Sequence, residues 1–208
     1  MQRRARARTS GEMSFFASLE RCPSCQKRVN PDDLTIYGDG DAWSLTGPCR
    51  HCKGPLAFKF QTHGNPIEGM RQFGELGTGH SSIIAPKKFI DEIERLSPRV
   101  DVDPRRLSPG AWKVNRDTNK RVRVCLAELW KFIPAGADSI PAELLPLEDR
   151  GDREARPDRY GRAWIEALIE RHKGVSDINI ADLPRIEAAE EELRLQRKLE
   201  RKRRKGMP

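Results

Sequence analysis

The spacing of apolar residues along the chain has two regimes. From residue 34 to 60 they alternate with polar positions: Leu34, Ile36, Trp43, Leu45, Leu56, Phe58 and Phe60. A period of two is that of a half-buried strand. Gly38-Asp-Gly40-Asp breaks the alternation and predicts a turn between the first two strands. All seven apolar side chains then fall on one face. From Ile83 onward the period lengthens. Phe89, Ile90, Ile93 and Leu96 share a helical face between Pro86 and Pro98. Ser108-Pro109 carries the cap-then-proline signature of a helix start. Val122, Cys125, Leu126, Leu129, Phe132 and Ile133 continue as one apolar stripe, and Pro134 ends it.

Beyond Pro134 the pattern is patchier. Pro141 opens a short apolar turn holding Leu144 and Leu145. The charged stretch from Glu148 to Arg159 reads as an exposed loop. Asp158 is placed to cap a helix reaching Lys173, with Tyr160, Trp164, Ile165, Leu168 and Ile169 inward and Gly174 as its stop. Trp112, Trp130 and Trp164 predict an aromatic-rich core. A last helix begins near Leu183-Pro184. Glu187, Glu190, Glu191 and Glu192 crowd its start and basic residues fill its end, which suits the helix dipole. Residues 61–82 are rich in glycine and read as loop; they match no phosphate-cradling motif.

The expected fold class is therefore α+β. A small antiparallel N-terminal sheet precedes a mainly α-helical domain of four or five helices. The expected divisions are a disordered basic leader over 1–19, a sheet module over 20–62, a glycine-rich linker over 63–82, a helical domain over 83–193 and a basic helical tail over 194–208.

Four of the five cysteines frame the sheet module, as Cys22-Pro-Ser-Cys25 and Cys49-Arg-His-Cys52 with 23 residues between the pairs. Each C-x2-C turn offers two sulfurs to one side of an ion, and two turns close a tetrahedral cage. The arrangement resembles a zinc ribbon, over about residues 20–62 only. The resemblance implies one structural Zn²⁺ held by Cys22, Cys25, Cys49 and Cys52. Paired disulfides, a redox dithiol and an iron–sulfur cluster are the competing uses of four thiols. A catalytic zinc fits poorly, because four protein thiolates leave no position for water. Cys125 lies in the apolar stripe and reads as a small core residue.

Charge redraws the ends of the chain. The net +8 divides into +4 over residues 1–10, +7 over 194–208 and −3 over the rest. The tail residues Arg197, Lys198, Arg201, Lys202, Arg203, Arg204 and Lys205 are candidates for gripping nucleic-acid phosphates. Residues 1–12 lack apolar periodicity and Met13 stands just ahead of the first cysteine pair, so Met13 is a candidate alternative start. No run of apolar residues is long enough for a membrane span, and no signal-like segment follows the N-terminus, which points to the cytoplasm.

No hydrolase, kinase, zincin or deaminase motif is present. His80 beside Ser81 and Ser82 lacks an orienting acid, and His172 with Glu166 and Glu170 reads as a helix-surface group. The chain is expected to be a non-catalytic, zinc-stabilised interaction or adaptor protein, regulatory or immunity-like, with a protein partner. The alternatives are a nucleic-acid-associated protein using the basic tail, and an enzyme whose site is not legible in sequence.

Overall fold

The computed structural model describes residues 6–62, 66, 73–74, 79–103, 107–173 and 175. The element order is β1 (Arg6–Ala7), α1 (Ser10–Leu19), β2 (Thr35–Asp39), β3 (Ala42–Pro48), β4 (Pro55–Thr62), α2 (Pro86–Leu96), α3 (Pro109–Trp130), α4 (Leu147–Ala155) and α5 (Arg162–Lys173), with short 3-10 turns between. The fold is α+β. The expected final helix from residue 183 and the basic tail over 194–208 lie outside the described residues.

The strands form one sheet in the order β1-β4-β3-β2. The hairpin β2–β3 and the pair β3–β4 are antiparallel, as the alternation predicts. A two-residue loop, Gly40-Asp41, closes the hairpin. Gly40 takes φ +54°, a conformation that L side chains rarely adopt. Leu45, Leu56 and Phe60 are buried, with Leu34, Ile36, Trp43 and Phe58 packed at their margin.

The expected all-antiparallel sheet needs correction: β1 adds to β4 in parallel, Arg6 opposite Gln61. The expected disorder over 1–19 fails with it, from Arg6 onward. Thr9 caps α1 by accepting the Glu12 amide at 3.1 Å, and the Glu12 carboxylate accepts the Arg8 amide at 2.6 Å. This is a variant of the capping box, Thr9-Ser-Gly-Glu12, in which the acid reaches back to the residue before the cap, and an apolar run follows. Ala7, Glu12 and Met13 are fully buried. A chain starting at Met13 would lose β1, the cap and the Arg8 ion pairs.

The helical part follows the sequence closely at its centre. Val122, Cys125, Leu126 and Leu129 of α3 face Phe89, Ile90 and Ile93 of α2. Three expectations shift. The charged stretch after Pro146 is a helix, α4, because its acids stand at the start and Arg153 at the end, where the helix dipole favours them. The next helix starts at Arg162, since Pro157–Tyr160 forms a 3-10 turn first. The aromatic core is built from Phe15, Phe73, Phe89 and Phe132. Trp130 and Trp164 sit at its rim under Arg162 and Arg159.

Two buried carboxylates join the parts. Glu128 of α3 accepts from Arg8 at 2.6 Å, Lys131 at 2.6 Å and the Gly74 amide at 2.7 Å. Glu92 of α2 accepts from Arg28 at 2.9 Å, Arg95 at 2.7 Å and Arg121 at 2.6 Å. Burial would raise the Glu92 pKa, but Arg95, Arg121 and Arg28 bring it down to about 2. Removing one partner of a buried ion pair costs about 3–5 kcal/mol. Arg8→Ala should therefore lower the unfolding free energy by about 3 kcal/mol in urea titrations. A change below about 1 kcal/mol would show that the N-terminal segment is not integral.

Candidate metal centre

The two cysteine pairs sit at equivalent turns. In the first, the Cys22 amide donates to the Lys27 carbonyl and the Gln26 amide to the Cys22 carbonyl, both at 2.8 Å. In the second, the Cys49 amide donates to the Gly54 carbonyl and the Lys53 amide to the Cys49 carbonyl, again at 2.8 Å. The residue after each second cysteine turns left-handed, Gln26 at φ +57° and Lys53 at φ +63°. The same backbone loop is thus built twice, once ahead of the hairpin and once between β3 and β4.

These turns bring Cys22, Cys25, Cys49 and Cys52 together. All four sulfurs lie within 4.8 Å of one another. The closest cross-turn pairs are Cys22–Cys52 at 3.6 Å and Cys25–Cys49 at 3.7 Å. Sulfurs about 2.3 Å from a central tetrahedral ion would be about 3.8 Å apart, so the donor set fits one metal ion. Cys22 and Cys49 are buried and Cys52 is exposed.

The electrostatics call for a cation. The backbone amides of Cys25 and Ser24 stabilise the Cys22 thiolate against burial and bring its pKa to about 6. The amides of Cys52 and His51 lower Cys49 in the same way. The Lys27 amide favours a Cys25 thiolate too, yet burial and the neighbouring sulfurs push that thiol up to about 12. Four like charges this close cannot all form without a compensating ion.

The knuckle cations have structural partners. Arg50 makes a two-pronged pair with Asp33, both contacts at 2.9 Å, and so ties the second turn to the entry of β2. Arg28, just after the first turn, reaches Glu92. His51 is exposed on the second turn. Cys125 is buried in the α2–α3 core, away from the cluster, and desolvation pushes its thiol well above the ordinary range.

One histidine departs from the sequence reading. His172 is fully buried. Its Nδ1 lies 2.8 Å from Asn119 Oδ1 and its Nε2 lies 2.8 Å from Ser97 Oγ. The Asn119 amide nitrogen donates to the His172 carbonyl at 3.2 Å, which orients the amide. Nδ1 therefore carries the proton, and Nε2 accepts from the Ser97 hydroxyl. The order hydroxyl–imidazole–amide is that of a hydrolytic triad. However, Ser97 is 6% exposed and Asn119 1%, so substrate has no access to it, and the three side chains clamp α5 to α2 and α3. The i, i+3 and i, i+4 positions of His172 on its helix gave no sign of this; only the depth of α5 against α3 does. Ser81 and Ser82 are likewise occupied by backbone, at Ile84 and Arg6, leaving His80 against the Phe132 ring.

No protein-family model matches the chain, and no curated protein or solved structure matches it. Among the described residues no helix is long and apolar enough to cross a membrane.

Two outcomes follow from the site. The reduced chain should bind one divalent ion, giving the visible bands of a tetrathiolate when cobalt is used; Cys49→Ser should abolish them, and unchanged cobalt spectra would refute the assignment. Desolvation lowers His172 to about 4 from an ordinary 6.5. Its contribution is complete above pH 6.5 and is lost as pH falls from 6.5 to 4, since only the unfolded chain takes up the proton. That difference is about 3 kcal/mol, and it should vanish in a His172→Gln denaturation series across the same range.

Proposed function

We propose that this chain is a non-catalytic interaction module, stabilised by a zinc ribbon and built to bind another protein. The carrying observation is the closed set of four sulfurs at tetrahedral spacing. Four thiolates suit a soft ion such as Zn²⁺ and leave it no open coordination position, so the ion acts as a staple. Arg28 links that staple to Glu92 in the helical part, so metal binding fixes how sheet and helices present their surfaces. Arg28 and Arg50 are already engaged by Glu92 and Asp33, which weakens the case for the ribbon as a phosphate grip. A regulatory or immunity-like role accords with such a module.

A second reading, association with nucleic acid, draws support from α3. Lys113, Arg116, Lys120 and Arg123 are exposed at helical spacing along one side, spanning about 15 Å. The basic tail residues from Arg197 to Lys205 lie outside the described residues and would add to this charge.

One comparison separates the readings. The full chain and a chain ending at Leu193 are each used to capture partners from the native host and to titrate labelled duplex DNA at low and moderate salt. The protein-binding reading expects a stoichiometric protein with both chains and no DNA binding at moderate salt. Tail-dependent DNA binding with a log–log salt slope near about −6 would replace it with the second reading.

A further inference from the structure

Strand β2 is the outer strand of the sheet, and among the described residues nothing pairs with its free side. A two-residue hairpin loop makes Asp39 and Ala42 a hydrogen-bonded pair, and pairing alternates from there. Gly38 and Ile36 are therefore the residues whose amides and carbonyls face outward. Natural edges are protected by lysine, proline, bulges or brevity. Here β2 keeps an unbroken five-residue register with β3 and holds neither lysine nor proline.

The hairpin and its approach carry acids alone, with Arg50 at the entry of β2 as the neighbouring cation. Residues 29–48 contain Asp32, Asp33, Asp39 and Asp41 and no lysine or arginine, although the chain as a whole is +8. Asp32 and Asp39 are exposed, and Arg50 is engaged by Asp33. On the solvent face, Tyr37 stands 58% exposed between Thr35 and Asp39. Trp43 lies across Gly38 and leaves no room for a side chain there: a Cβ would come within 2.6 Å of the indole. Its indole N–H donates to the Gly40 carbonyl at 2.9 Å, so the ring also holds the hairpin tip in place.

We infer that β2 is a docking edge for an extended, lysine- and arginine-rich segment of a partner protein, which adds to the sheet as a fifth strand. Main-chain bonds to Ile36 and Gly38 supply the pairing. The exposed aspartates select a basic strand, and Tyr37 offers an apolar cross-strand contact. The inference rests on the protein-binding reading above and names the surface.

The test uses the full chain purified with zinc. A labelled ten-residue peptide alternating lysine and valine is titrated by fluorescence anisotropy, beside the same peptide N-methylated at alternate residues and a glutamate–valine version. The expected result is saturable binding by the basic peptide alone. Asp32→Lys with Asp39→Lys should weaken it at least tenfold without changing the thermal midpoint. Amide exchange at Ile36 and Gly38 should slow at least tenfold in the complex. Absence of binding, equal binding of the N-methylated peptide, or protection at other amides would overturn the inference. Should the doubly substituted chain still capture the same host protein as the wild type, the edge is wrong while the protein-binding reading stands. Loss of capture together with loss of peptide binding supports both.

Discussion

A carboxylate taken out of water must be matched by cations close at hand, and Glu92 meets that requirement with three arginines from three separate segments. Arg28 comes from the first cysteine turn, Arg95 from the same helix and Arg121 from α3. Arg121 also donates to Ser18 Oγ at the end of α1, and its guanidinium covers the Phe15 ring. One buried charge therefore sets the relative placement of the metal-binding turn, the N-terminal helix and the helical core. Hydrophobic packing is non-directional and would tolerate sliding between these parts; a charge held at 1% exposure does not. Glu128 repeats the device at the other side, gathering Arg8, Lys131 and the Gly74 amide.

Two apolar clusters flank these anchors. One lies beneath the sheet and the cysteine turns, the other between α2, α3 and α5. Phe16 and Ile83 pack against both, so α1 serves as a shared wall. Such continuity means that an ion bound at the four cysteines would stabilise more than the loops that hold it. The cysteine turns are too short to bury much themselves, and a bound ion would substitute for the apolar area they lack.

Much of this was legible from residue spacing. The alternation from Leu34 to Phe60 and the stripe from Val122 to Ile133 located the sheet and the main helix because local period and tertiary burial agree there. The cysteine pairs were legible because ligand chemistry fixes their spacing. The N-terminal helix was missed although Thr9-Ser-Gly-Glu12 is a capping signature, since the four arginines ahead of it made it read as part of a charged leader. Arg8, which pairs with Glu12 locally, is also held by Glu128 far along the chain, and no local window contains that second partner. The α4 segment was missed for a related reason: its stability comes from charge placement and from Asp152 accepting the Tyr160 hydroxyl at 2.7 Å, not from an apolar face. His172 was misplaced because hydrogen bonds to Ser97 and Asn119 join positions far apart in the chain.

The parallel pairing of β1 with β4 carries a consequence for how the chain reaches this state. Arg6 must find Gln61 across the entire cysteine module, so the contact closes a long loop and costs more chain entropy than the hairpin or either turn. Local closures such as the β2–β3 hairpin are entropically favoured over it. β1 pairs only with Gln61 and Thr62, so it secures the end of β4 and the approach to α1 rather than the length of that strand. An ion bound at the four cysteines would draw Cys22 and Cys52 together and so shorten the loop that β1 has to close.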